Sequence, residues 1–382
     1  MKKPLFLLAL LAAIFSCRKP YVPKAITNPP NYLVVEGTIF SGADSTIFKL
    51  SRTVNISSDS TTNPVTGAQV SVETNNSTFS LSELRPGYYF SPAQNLDPSQ
   101  QYRLRIILAD QTTYLSDFVP LKTTPPIDSI GFIIQNTGLQ LYVNAHDANN
   151  STRYYRWAYE ETWQFQAKYQ STTITNGIAL MPRKANYQIF SCFAGDISST
   201  ILLGSSAKLS QDVIHAALVF IPSTSEKVGI KYSILLRQYA LTPDAFTFWT
   251  SLKTNSEQLG SIFDAQPSQI NGNIHNISNP NERVFGYVSA CTVQTKRIFI
   301  PHSSLPGSWN VKYPYDCSLD SLWYDNPKTH ENQVLELIPF GSNKVPVSYF
   351  GTSLGILGYF GTSHECADCT IRGSVYQPYF WQ

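Results

Sequence analysis

Apolar and polar residues alternate along this chain in short runs. Leu33-Val34-Val35-Glu36-Gly37-Thr38-Ile39-Phe40 and Ser45-Thr46-Ile47-Phe48-Lys49-Leu50-Ser51-Arg52 read as strands, split by the turn signal Ser41-Gly42-Ala43-Asp44. A glycine turn in Pro64 to Val72 leads into the next run, and Phe79 to Leu84, Gly87 to Phe90, Tyr102 to Leu108 and Thr113 to Phe118 continue the series. Strands this short, with no amphipathic helix among them, predict an antiparallel sandwich over residues 32–122.

Thr123-Thr124-Pro125-Pro126-Ile127-Asp128 predicts a linker, because consecutive prolines stop a strand and hold the backbone extended. A second β-rich region over 126–302 follows, with strand signals at Ile130 to Ile134, Leu139 to Ala145, Tyr154 to Trp163, Val284 to Val293 and Arg297 to Ile300. It carries one predicted helix near 242–256, where Thr242 suits the N-cap, Pro243 the first helical position and Asp244 the positive end of the dipole. Phe246, Trp249 and Leu252 recur three apart and are expected to form its buried face. The last segment, 303–382, is rich in cysteine and aromatics and is expected to pack on the second region. Within it Tyr349-Phe350-Gly351-Thr352-Ser353 recurs as Tyr359-Phe360-Gly361-Thr362-Ser363, which reads as two similar strands joined by a glycine-bearing turn. The expected fold is therefore mainly β: tandem antiparallel β-sandwiches of Ig-like or transthyretin-like kind, one short helix and a disulfide-pinned C-terminal region.

The residues ahead of Tyr32 follow another pattern. Lys2 and Lys3 precede the apolar run Leu5 to Ile14, and Ile14-Phe15-Ser16-Cys17 matches a lipobox. The run is shorter than the roughly 20 residues that span a bilayer, so residues 1–16 are expected to be a lipoprotein signal and Cys17 the lipidated residue. Residues 17–31, with Pro20, Pro23, Pro29 and Pro30, then form an extended tether. Of 382 residues this leaves 366, in which 26 basic residues face 26 acidic ones. A neutral balance argues against a nucleic-acid partner, and the expected membrane contact is through the N-terminal lipid.

Export favours disulfides over free thiols. Cys291 lies in the apolar run Val288 to Val293 and is expected to be a small buried hydrophobe. Cys192 and Cys317 are each expected to join one member of the Cys366/Cys369 pair, with the connectivity open between the two arrangements. The Cys366-Ala367-Asp368-Cys369 spacing also fits a redox motif or half a zinc site, but it lacks a helical redox setting and a second close-spaced pair. Gly351-Thr352-Ser353-Leu354-Gly355 has the spacing of a nucleophile elbow without the strand-to-helix context that motif requires. His146, His215, His275, His302, His330 and His364 show no metal-ligand spacing, and Asp147-Ala148-Asn149-Asn150 lacks the acidic end of a calcium loop. No catalytic residue, cofactor site or metal site is therefore assigned.

Several segments occur in an order that resembles a known family. They are the lipobox, Leu33 to Gly37, Pro64 to Val72, Pro126 to Ile130, Tyr154-Tyr155-Arg156-Trp157, Ser261 to Pro267, Gly272-Asn273-Ile274, Phe285-Gly286-Tyr287, Cys366-x-x-Cys369 and Pro378-Tyr379-Phe380-Trp381. Together they resemble an uncharacterised outer-membrane lipoprotein family of Bacteroidetes-type bacteria, a domain of unknown function. The resemblance implies an exported, β-rich protein, often encoded near TonB-dependent outer-membrane receptors, and carries over no catalytic residue. Phe193 stands where the family more often has Trp. Arg18 and Lys19 replace the acidic residues that often follow the lipidated cysteine in surface-exported members, so both faces of the outer membrane stay open. The expected function is a non-enzymatic accessory or ligand-binding partner of a TonB-dependent receptor, with a glycan- or peptide-acting hydrolase or a surface adhesin as alternatives.

Overall fold

A computed structural model describes residues 31–54, 63–257 and 270–381. The signal, Cys17, all but the last residue of the tether, and the segment Ser261 to Pro267 lie outside the described residues. The fold is mainly β.

The first core is wrapped by β1 (Leu33–Ser41), β2 (Thr46–Arg52), β3 (Gln69–Glu73), β4 (Thr78–Arg85), β5 (Tyr88–Ser91), β6 (Gln101–Ile107), β7 (Thr113–Ser116) and β8 (Val119–Lys122). Alternation does the sorting: along β6, Tyr102, Leu104 and Ile106 turn inward while Arg103 and Arg105 turn out to pair with Glu73. The second core lies between two facing sheets. One is built on β11 (Tyr154–Gln166), flanked by β14 (Ser191–Ile197), β15 (Leu202–Ser205) and β17 (Lys231–Ala240). The other holds β9 (Ile127–Gln135), β10 (Gly138–Asp147) and β16 (Asp212–Pro222) in the order β16-β10-β9. Tyr155, Trp157, Tyr159, Trp163 and Phe165 of β11 fill the space between them. β12 (Thr173–Thr175) and β13 (Leu180–Pro182) form a small ladder of their own.

The two cores are fused. β20 (Ala290–Pro301) pairs antiparallel with β17 over its C-terminal part, while its first residues pair in parallel with β1 and β8. The circuit β1-β2-β5-β4-β3-β6-β8-β20 thereby closes on itself around the first core. β18 (Ile274–Asn276) and β19 (Val284–Phe285) also return to the first core, pairing with β7 and β1, although the sequence pattern groups them with the second region. Within the proline segment at 123–128, Thr124, Pro125 and Ile127 are buried and bonded to the second core's strands, while Thr123, Pro126 and Asp128 are exposed. Thr124 donates through N and Oγ1 to Thr292 at 2.8 and 2.5 Å and accepts from the Ala240 amide, and the Pro125 carbonyl accepts from Gln238 at 2.8 Å.

The helix α1 (Pro243–Glu257) starts where expected, with the Thr242 hydroxyl accepting from the Ala245 amide at 3.2 Å. Its buried face is centred on Ala245 and Phe248, whereas Phe246, Trp249 and Leu252 are only half-buried. The expected stripe is thus displaced by a fraction of a turn, because α1 packs across the junction of the cores. Phe246 meets Tyr154 of β11 and Phe248 meets Tyr287 beside β19.

Candidate functional site

Between Lys344 and His364 the chain carries no Asp, Glu, Lys, Arg or His. This stretch forms a hairpin of β22 (Lys344–Thr352) and β23 (Gly355–Ser363), with β21 (Asp320–Trp323) on the far side of β23. The two copies of the Tyr-Phe-Gly-Thr-Ser echo lie on its facing strands, with Tyr349 opposite Tyr359. The turn needs Gly355, whose φ of 151° disfavours a side chain. Gly358 is needed for a different reason: a Cβ there would lie 2.2 Å from the Leu322 carbonyl oxygen, so only glycine lets β21 and β23 close.

The base of the hairpin is fixed and its tip is bare. Cys317–Cys366 and Cys192–Cys369 tie the following short helix α2 (His364–Ala367) and the next turn to the chain ahead of β21 and to β14. Thr172 N donates to the Val347 carbonyl at 2.6 Å, and Tyr169 N to that of Cys366 at 2.9 Å. Lys344 closes the charges at the base, 3.2 Å from Asp320 and 3.4 Å from Glu336. Burial works to lower its pKa, but the two carboxylates outweigh this and hold it above the ordinary lysine value. Beyond that point Leu354 is 98 % exposed and Tyr349 64 %, with Ile356 and Leu357 also open to solvent. Large exposed apolar side chains gathered on one hairpin without a charge are a feature of contact surfaces.

The four cysteines read from sequence are brought together in one of the two arrangements left open. Cys291 is free and fully buried, and burial pushes its thiol up to about 12. Ser353 sits in the exposed hairpin turn, between two strands rather than before a helix. The histidines are scattered. His146, His275 and His330 bond Asp128, Asp117 and Asp325, His215 bonds Asn144, and His302 and His364 meet backbone carbonyls. The Asp147 carboxylate accepts from the backbone of Asn149, Ser151 and Thr152, so the loop that resembled a calcium site is a self-satisfied turn. Among the described residues no group of three or more His, Cys, Asp or Glu side chains is placed to hold a metal, and no helix is long and apolar enough to cross a membrane.

A buried ionic network ties the C-terminal tail to the second core. Glu161 accepts from the Tyr232 hydroxyl at 2.7 Å and lies 2.5 Å from Lys227 Nζ, which in turn sits 4.8 Å over the Trp163 ring. Next to it Glu226 accepts from Trp163 Nε1 at 3.3 Å and pairs with Arg372 of the tail.

Fold and surface together define a β-rich, disulfide-stapled protein whose C-terminal segment projects an uncharged apolar hairpin. The chain belongs to the family described as Domain of unknown function (DUF4249), whose model matches residues 18–297. The hairpin and three of the four bridged cysteines lie beyond that match. No curated protein matches the chain. Among solved structures, a putative carbohydrate binding protein from Bacteroides uniformis is similar at 8 % identity and TM-score 0.15, over 57 % of this chain and 93 % of that one. A DUF3823 family protein from Parabacteroides merdae is similar at 9 % identity and TM-score 0.15, over 56 % and 92 %. A chitinase from Bacillus thuringiensis is similar at 12 % identity and TM-score 0.14, over 48 % and 30 %. Likenesses this slight carry no argument about function.

Proposed function

We propose that the protein is a non-enzymatic lipoprotein, anchored to the outer membrane through Cys17, that docks on a TonB-dependent receptor through the 344–363 hairpin. The observation that supports this reading is the hairpin itself, a disulfide-fixed base bearing a tip with exposed Leu354, Ile356 and Leu357 and no charge. An uncharged apolar prong complements an uncharged apolar groove, since burying it costs no ion desolvation and gains about 25 cal/mol for each Å² of apolar surface removed from water. A lipid anchor adds effective concentration by confining both partners to one membrane. The test is co-purification from detergent-solubilised membranes, comparing wild type with the double variant Leu354→Asp/Ile356→Asp. A receptor is expected with the wild type, and its recovery should fall about tenfold or more in the variant. Absence of any receptor from the wild-type pull-down, or equal recovery with the variant, would overturn the reading.

A further inference from the structure

Alternation along β11 sends Tyr155, Trp157 and Tyr159 into the second core, and leaves Arg156 on the opposite face with Tyr154, beneath α1. There the Arg156 guanidinium is clamped between two rings, 4.5 Å from the centroid of Trp249 on α1 and 4.4 Å from that of Tyr239 on β17. The Tyr239 ring stacks in turn on Phe40 of β1 at 5.9 Å. Helix, second core and first core therefore all contribute to one column of stacked groups, with a single cation inside it.

Among the described residues that cation has no acid. Arg237 on the neighbouring strand is matched by Asp44 at 3.2 Å and Glu160 at 3.5 Å, but Arg156 makes no hydrogen bond or salt bridge to any described residue. The ionisable groups acting on it are the Tyr239 hydroxyl and the Cys291 thiol, both held neutral because burial raises their pKa. Burial also pulls the Arg156 pKa below the ordinary arginine value, and a guanidinium still stays charged at neutral pH. Its Nε is shut away without a partner.

An unpaired, desolvated cation is costly, and cation–π contact with two rings offsets only part of that cost. If packing alone were required, an apolar side chain of the same length would fill the column without the charge. A clamped guanidinium is instead preorganised for one kind of ligand. Its plane is fixed, and the fork of terminal N–H groups matches a pair of oxygens. We propose that Arg156, held between Trp249 and Tyr239, is the recognition group of a binding site for an oxyanion, a carboxylate, phosphate or sulfate group. This does not rest on the docking role of the hairpin.

The test titrates the purified folded chain with inorganic phosphate, sulfate and acetate, using chloride at matched ionic strength as the reference. Trp249 fluorescence and the thermal midpoint are the readouts. At least one oxyanion should give a saturable response beyond chloride in both. Trp249→Phe should remove the fluorescence change, and Arg156→Gln should abolish both responses. Arg156→Lys, which keeps the charge without the fork, should weaken binding about tenfold. The order of affinities among the three probes separates a carboxylate ligand from a phosphate or sulfate one. A response matched by chloride, none saturable with any oxyanion, or one retained in Arg156→Gln would overturn the proposal. If Arg156→Gln does not fold, unchanged affinity in Arg156→Lys overturns it equally.

Discussion

Replacing Lys227 by Met is expected to destabilise the second core by about 3–5 kcal/mol, the cost of leaving a buried carboxylate without its cation. Glu161 is only 5 % exposed, and its ion partner lies 2.5 Å away. At that separation, with an effective dielectric near ~20, the attraction is roughly 6–7 kcal/mol, most of which repays the desolvation of the two ions. Met keeps an apolar stem and removes the ammonium that lies over Trp163, leaving Glu161 with the Tyr232 hydroxyl. Adding Glu161→Gln removes the stranded charge while keeping an acceptor for Tyr232, so the double variant should recover about 2–3 kcal/mol of the loss. Urea unfolding followed by far-UV circular dichroism and by fluorescence gives the four corners of the cycle. Because Glu161 is buried and Lys227 mostly covered, high salt should change the coupling less than it would for an exposed pair. A cost below about 1 kcal/mol for Lys227→Met, or simple additivity of the two changes, would show that the network does not hold the core in the way described.

Tyr114 donates to Glu282 at 2.7 Å, and burial together with that carboxylate pushes its hydroxyl from 10 up to about 12. The folded chain then holds this proton more tightly than the unfolded one, so the contribution to stability is complete below pH 10 and is lost as pH climbs toward 12. Thermal midpoints across this range should fall less steeply in Tyr114→Phe than in the wild type; the slope should not flatten fully, because burial raises Tyr159 to about 12 as well. Thiol titration without reductant offers a third check. Cys291 should resist alkylation in the folded protein and react once denaturant exposes it, while Cys192, Cys317, Cys366 and Cys369 remain unreactive in both states.

What the sequence makes legible here is what adjacent residues decide. Alternation marks β1, β2 and β6, the Thr242-Pro243 pair marks the start of α1, and the Tyr-Phe-Gly-Thr-Ser echo marks a hairpin. The expectation of disulfides narrows the four cysteines to two pairings. Partnering between distant strands leaves no such local trace. Nothing in Ala290 to Thr292 announces a parallel partner at Ile39 to Ser41, and Ile274 and Val284 carry no sign that their apolar side chains belong to the first core. The face α1 buries shifts from Phe246 and Trp249 to Ala245 and Phe248, with Phe246 meeting Tyr154 of the second core and Phe248 meeting Tyr287 beside the first. Arg156 is readable only as a charge in an aromatic strand. Its clamp needs Trp249 and Tyr239, far along the chain.

The strand β1 is not at a margin of the sheet. β1 has β2 on one side and β19 and β20 on the other. A pull delivered through residues ahead of Leu33 therefore meets hydrogen bonds loaded lengthwise on both flanks at once, instead of a border strand that could be peeled away bond by bond. Since β20 runs on into the second core, such a load would be shared by both halves of the molecule.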